Sequence, residues 1–347
     1  MTTSIGFCGR DDVEDVMQFI RDHWKEDHIL GSHRGLFDWQ YWDPETGRYN
    51  FILCRRDHDQ ALLGILGFIP THLYDPSLID KAVVWLALWK VRPDSEIAGL
   101  GMFLHQYLID NTIHMSSAVS GLNKMSHRVM AGLGYRPEIL QHYYLLNPTL
   151  NAFHIAKVEG QPITGSVRPL TKSLEQVSAD ILLTQKEWAI GDRLPAIPAK
   201  SPTYFLRRFI EHPYYDYMVY AVLDRNKRVG LLALREIEHE NCRVLRLVDY
   251  WGSSDDFSGL GGALENLVVD RGAEYIDCLC WGLPDQLFIQ EGFSRLDPDG
   301  ATIIPGYFEP FEQRNVPTRV AFKAPSNSQF LFFKADGDQD RPNLLPA

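Results

Sequence analysis

Two successive α/β domains, each a central mixed β-sheet flanked by helices, are what this 347-residue sequence predicts. Three observations carry that prediction. Residues 83–89, Val-Val-Trp-Leu-Ala-Leu-Trp, form a continuous apolar run rich in β-branched and aromatic side chains, the pattern of a buried strand. The run leads through a turn, Val91-Arg92-Pro93-Asp94-Ser95-Glu96-Ile97-Ala98-Gly99-Leu100-Gly101, into the helical pattern of residues 102–109. A weaker copy of this whole neighbourhood recurs, with Gly259 standing 160 positions after Gly99. The length suffices for two domains that each bury a core.

Taken in order, copy one starts with a strand pair, 51–54 and 62–67, joined by a polar turn at 55–60. Copy two matches it with 218–222 and 229–234 around Asp224-Arg225-Asn226-Lys227. The longer strand at 83–89 is echoed at 244–250, and the glycine turn at Ser258-Gly259-Leu260-Gly261-Gly262 before a helix at 263–270. Each copy then adds a strand, a short helix and a glycine–aromatic corner: Leu133-Gly134-Tyr135 in the first, Glu291-Gly292-Phe293 in the second. The join falls between 148 and 201, where 161–165 and 194–199 are rich in breakers. A helix from Thr171 to Ile190 is expected to open copy two. The expected units are therefore 1–155, a linker with that helix at 156–200, and 201–347. The acidic tail at 334–343 is expected to lie extended over the surface.

The balance of 45% apolar and 23% charged residues is that of a globular protein. A net charge of −11 argues against nucleic acid and against anionic membrane surfaces as partners. The first residues lack a basic segment followed by an apolar run, and no stretch approaches a membrane span, so a cytoplasmic location is expected. The five cysteines, Cys8, Cys54, Cys242, Cys278 and Cys280, show no zinc-ligand spacing, and neither a metal nor a disulfide is expected. Cys278 and Cys280 alternate along an expected strand and should face one side as small buried hydrophobes.

A glycine turn at a helix start leaves backbone N–H groups unpaired, which makes it a natural seat for a pyrophosphate. Val91, Pro93, Glu96, Gly99 and Gly101 at their spacing resemble the acyl-CoA signature of the GNAT superfamily of N-acyltransferases. A second segment is similar too: Gly121-Leu122-Asn123 at a strand end, a helix from Lys124 to Gly132, then the Leu133-Gly134-Tyr135 corner. The resemblance implies acyl-CoA or CoA bound at Trp89, Val91, Glu96, Ile97, Ala98, Gly99, Leu100 and Gly101, and at Asn123 and Ser126. Two positions depart from it. Glu96 stands where the superfamily usually has Gln or Arg, and Met130 where a tyrosine often protonates the leaving thiolate.

Tandem copies rich in aromatics further resemble bacterial acyltransferases that modify dTDP-linked amino sugars for surface polysaccharide. That implies small-molecule partners, acyl-CoA and an amine, and leaves the oligomeric state open, a monomer included. Trp24, Trp39, Tyr41 and Trp42 are then candidates to stack on a base or line a sugar pocket, or else they are core. Arg235, Asp249, Tyr250 and Trp251 are candidates for acceptor contacts in a pocket shared between the copies. For the base, Glu26, Asp27, His28 and His72 are the candidates, with water as an alternative. Acylation of another small amine, or a non-catalytic acyl-CoA-binding module, are the rival readings.

Overall fold

The computed structural model describes residues 2–160, 167–184, 188 and 196–344. The breaker-rich stretch at 161–165 lies outside the described residues. Copy one contains β1 (Thr3–Cys8), α1 (Val13–His23), α2 (Ile29–Ser32), α3 (Arg34–Tyr41), β2 (Arg48–Arg56), β3 (Leu62–Pro70), β4 (Val83–Val91), α4 (Leu100–Asn111), β5 (Ser116–Leu122), α5 (Lys124–Gly132), β6 (Arg136–Ile139) and β7 (Gln141–Leu146). The rest contains β8 (Ser173–Gln176), α6 (Ala179–Thr184), α7 (Pro202–Phe205), β9 (Tyr217–Asp224), β10 (Lys227–His239), β11 (Cys242–Trp251), α8 (Ser254–Phe257), α9 (Gly261–Asp270), β12 (Tyr275–Trp281), α10 (Asp285–Gln290), β13 (Ser294–Arg295), β14 (Arg319–Lys323) and β15 (Phe332–Phe333).

Local rules account for most of these elements. α1 repeats apolar residues at Val13, Val16, Met17 and Ile20, one face of a helix, and buries that face. β3 is buried at every position, as an apolar strand covered on both faces must be. Cys278 and Cys280 do share one apolar cluster, and all five cysteines are unbridged. Among the described residues no helix is long and apolar enough to cross a membrane.

Each copy forms a mixed sheet, but the sheets trade strands. The first runs β1-β2-β3-β4-β5-β14-β6, and the second β13-β7-β12-β11-β10-β9-β8. β7, within the expected first unit, pairs antiparallel with β12, Tyr143 opposite Cys278. In exchange β14, from the expected second unit, sits between β5 and β6, with Val320 opposite both Ser120 and Glu138. The unit boundaries at 155 and 201 therefore do not separate the sheets. One apolar cluster runs from Val13 and Phe37 through Trp85 to Phe205, Tyr217 and Phe332, so this part of the core is shared by both copies.

Two further expectations are corrected. Copy two opens with strand β8, paired to β9, and only then the short α6; a helix starting at Thr171 is absent because 173–176 complete the sheet edge. The acidic tail is not on the surface. Phe332, Lys334, Ala335, Asp336 and Asp340 are buried, and the two buried carboxylates are matched by basic groups from outside the tail. Asp336 lies 3.2 Å from Lys200, and Asp340 lies 3.2 Å from Arg235.

Candidate active-site cleft

Parallel strands β4 and β5 pair only from Val83–Ser116 to Leu86–Val119, and then part. The cause is a β-bulge: Ala87 and Leu88 together oppose Gly67 alone, between the pairs Leu66–Trp89 and Phe68–Leu86. Gly67 is required there, since a Cβ would come within 2.7 Å of the Phe51 ring. Beyond the bulge β4 stays paired with β3, but among the described residues no strand pairs with its other edge. A cleft of about 450 Å³ opens in the gap. Leu88, Trp89, Val91, Ser120, Asn123, Ser126 and Met130 line it from copy one. Trp24 and His28 close one side, and Asp338, Gln339 and Arg341 cross it from the tail.

The glycine turn sits at the end of β4. Gly99 has φ 74°, the left-handed region, and a Cβ there would meet nothing within 4 Å. Among the described residues no hydrogen bond engages the N–H groups of Ile97, Ala98 or Gly99. Gly101 packs against the Trp89 indole, so closely that a Cβ added to it would lie 3.2 Å from Nε1. Trp89 stacks on His105, whose Nε2 lies 2.8 Å from the Tyr135 hydroxyl, itself 2.7 Å from Ser117. The glycine–aromatic corner thus braces the turn from behind. Glu96 is exposed, so its carboxylate stays in solvent rather than in the turn's donor array. Asn123 caps α5 by accepting the Ser126 N–H at 2.8 Å.

Copy two repeats the bulge, with Val248 as the extra residue of β11, but both halves of its cradle are filled from within. The N–H groups of Gly259 and Gly261 donate to the two oxygens of the Glu291 carboxylate, each at 2.7 Å. A carboxylate occupies the donors that in copy one are free. A Cβ on Gly262 would come within 2.4 Å of the Pro169 carbonyl oxygen, so chain also covers the helix start. The parting strands are bridged by the tail: Phe333 pairs with Cys280 of β12, and the Ala335 N–H donates to the Val248 carbonyl at 2.9 Å.

Of the candidate bases, the cleft contains His28 alone. Its Nδ1 accepts the Leu30 N–H at 3.2 Å to cap α2, and Nε2 faces Arg341 at 3.1 Å. Burial and the nearby guanidinium hold its pKa at about 3. The imidazole is therefore neutral at physiological pH and a weak base. Because that pKa lies below the usual 6.5, its contribution to stability is present above 6.5 and lost as pH falls toward 3. The His28 ring resonances should accordingly not titrate between about pH 5 and pH 8 in an NMR series. A midpoint within that range would restore it as a base.

His72 is elsewhere. Antiparallel pairing sets Pro70 opposite Val84, at the far end of β4 from the turn, and His72 lines a separate pocket with Asp43 and Asn50. Glu26 and Asp27 are solvent-exposed, Asp27 paired to Lys25 at 3.0 Å. Of the aromatics, Trp24 alone reaches the cleft. Trp39 packs on His212 and Tyr41 is fully buried against Phe51, while Trp42 lies under Arg10. These are packing residues: Trp39 fills the seam between the copies, while Tyr41 and Trp42 pack on rings of copy one, Phe37, Phe51 and Tyr49.

The copy-two candidates also fall outside the cleft. Asp249 is fully buried and ion-paired to Lys200. Tyr250 and Trp251 line another cavity between the copies, about 480 Å³, that shares no residue with the cleft. Arg235 is held by Asp340 and Glu309. Sequence reasoning expected Asp338, Gln339 and Arg341 on the surface and not at the site; Asp338 and Arg341 lie 3.7 Å apart, but the partners of Asp336 and Asp340, which fix the tail in place, lie far away along the chain. Among the described residues no three His, Cys, Asp or Glu side chains gather as metal ligands.

Among solved structures the chain is similar to a GCN5-related N-acetyltransferase from Anabaena variabilis, with 12% identity and a TM-score of 0.55 over 93% of this chain and 72% of that one. It is similar also to a conserved Enterococcus faecalis protein of unknown function, a probable N-acyltransferase, at 11% identity and a TM-score of 0.54, covering 92% and 72%. At such identity the likeness shows the fold: two GNAT-like halves in tandem. No protein-family model and no curated protein matches the chain.

Proposed function

We propose that this protein is an N-acyltransferase that takes an acyl group from CoA to a primary amine, working in the copy-one cleft. The observation that carries the reading is the contrast between the copies. Copy one keeps parted strands and unbonded turn amides, while copy two fills both with its own chain. The amides of Ile97 to Gly99 suit a pyrophosphate, since they pair backbone donors with a helix start. Acyl-CoA supplies an activated carbonyl, and the chain's residues have the simpler tasks of holding and shielding. The free edge of β4 at the bulge offers N–H groups to the carbonyl oxygen as charge develops on it. Trp24 and Leu88 exclude water from the acyl end. The neutral amine attacks the thioester carbonyl, the C–S bond breaks to release the CoA thiolate, and Asp338, the carboxylate in the cleft wall, takes the proton that the amine nitrogen loses. Met130 is buried and cannot donate a proton, so solvent protonates the thiolate.

The acceptor is a small amine. Its narrower version, a nucleotide-linked amino sugar, keeps only Trp24 of the four aromatic residues expected to hold it, beside Trp89 in the cleft wall. Acetyl-CoA incubated with a panel of primary amines, read as released thiol, tests the proposal. Amine-dependent release that falls at least about tenfold in Asp338→Asn supports it. CoA binding without release for any amine points instead to the non-catalytic module.

A further inference from the structure

Lys334 is only 3% exposed, yet among the described residues its ammonium makes no hydrogen bond or ion pair. Its nearest partner is the Tyr307 ring, 5.1 Å from Nζ to centroid. A lysine side chain buried to this degree without a paired anion is costly and rare. The side chain lines a small cavity of about 30 Å³, with Arg235, Arg246, Arg341, Gln339, Glu309 and Asp340 among its walls. That volume exceeds what one water needs and suits a carboxylate or a phosphate edge.

The acids in that wall are already committed. Asp340 accepts the Tyr217 hydroxyl at 2.6 Å and pairs with Arg235. Glu309 accepts the Tyr215 hydroxyl at 2.8 Å and the Asn343 N–H at 2.9 Å. Arg246 is satisfied by Asp277 and by the carbonyls of Pro305 and Gly306. Lys334 alone has no directly paired anion: burial and then Arg246 push its pKa down to about 8, against the pull of Asp340 and Asp277, which are already bonded to other cations. Gln339 and Arg341 form a wall common to this cavity and the transfer cleft. The Arg341 guanidinium turns one nitrogen to His28 of the cleft and another to Asn343 of the cavity.

We propose that the acceptor is an amine that also carries an oxyanion, a carboxylate or a phosphate, and that this group docks on Lys334 beside Arg341 while the amine enters the cleft. The proposal rests on the transferase reading for the second half of that statement. The anion site itself stands on the unpartnered lysine and its cavity.

The test has two independent arms. In the first, acetyl-CoA turnover is measured with matched amines: an amino acid against its carboxamide, and phosphoethanolamine against ethanolamine. Wild type should prefer one or both anionic members by at least about tenfold in kcat/KM. Lys334→Met should abolish that preference while its turnover of the neutral amines stays within a few-fold. The better of the two anionic amines separates carboxylate from phosphate. In the second arm, inorganic phosphate and acetate are titrated against the thermal midpoint. One of them should raise it in wild type and not in Lys334→Met, a variant expected to fold well because it removes an uncompensated buried charge. Absence of turnover with every amine, together with a Lys334-dependent thermal shift, sinks the transferase reading and keeps the anion site. No thermal shift in wild type, or an anionic preference unchanged in Lys334→Met, overturns the site.

Discussion

Lys200→Met should lower the free energy of unfolding by about 3–5 kcal/mol, the range found when one member of a buried ion pair is deleted. Lys200 is almost fully buried and hydrogen-bonds Asp249, with Asp336 at 3.2 Å. Both carboxylates are completely inaccessible. Deleting the ammonium leaves two carboxylates side by side in the core, each with one backbone N–H donor, from Tyr250 and from Phe333, but with no paired cation. Burial already raises the pKa of Asp249 and of Asp336, so a raised carboxylate holds its proton longer in the folded chain than in the unfolded one. Stability therefore falls as pH rises through that window, and without Lys200 the fall should steepen. Denaturant titrations near pH 5 and pH 8 should show the larger loss at the higher pH. Adding Asp249→Asn to the variant should recover part of it. A loss under about 1 kcal/mol at both pH values would mean that the triad is solvated.

The second large effect concerns binding. Gly99→Glu should abolish measurable CoA binding in a calorimetric titration while shifting the thermal midpoint little. Space is not the obstacle, because a Cβ at Gly99 meets nothing within 4 Å, and Glu96 tolerates φ 57° in the same turn. The backbone strain is about 1–2 kcal/mol. The obstacle is charge: a carboxylate placed beside the free amides competes for them and repels a pyrophosphate. Copy two displays that outcome, with Glu291 seated on Gly259 and Gly261. Gly261→Ala should behave in the opposite way. Its Cβ would come within 2.3 Å of the Glu291 carbonyl oxygen, so it should cost about 1–3 kcal/mol of stability. CoA affinity should stay near wild type wherever that variant is folded. Equal loss of CoA affinity in both variants would move the cofactor away from copy one.

Local patterns made the duplication legible. The strand-turn-helix at 83–109 and its echo carry period, glycine placement and apolar content in a short window, and each element formed where those signals lay. The strand trade was not legible. Residues 141–146 and 319–323 are short alternating runs that suit the edge of either sheet, and only tertiary packing decides between them. The tail misled for a related reason. Asp336 and Asp340 read as solvated when Lys200 and Arg235, more than a hundred positions earlier, are out of view. Likewise Trp39 is as aromatic as any ligand platform, and the need for a large ring where it meets His212 at the seam emerges only once both sheets are built.

The place of β14 has a kinetic consequence. Ser120 pairs with Val320, 200 positions later, so the first sheet stays split between β5 and β6 until β14 arrives. Until then two strand edges lie open to other chains, the condition that invites aggregation. Closing so long a loop is slow compared with forming a hairpin, and it ties the two copies into one cooperative folding event. Refolding should therefore show a slow, concentration-sensitive phase. A fragment ending near residue 155 should lack the strand that fills this gap. The duplication is written in the sequence as two successive units, yet with these strands exchanged neither unit completes its own sheet alone.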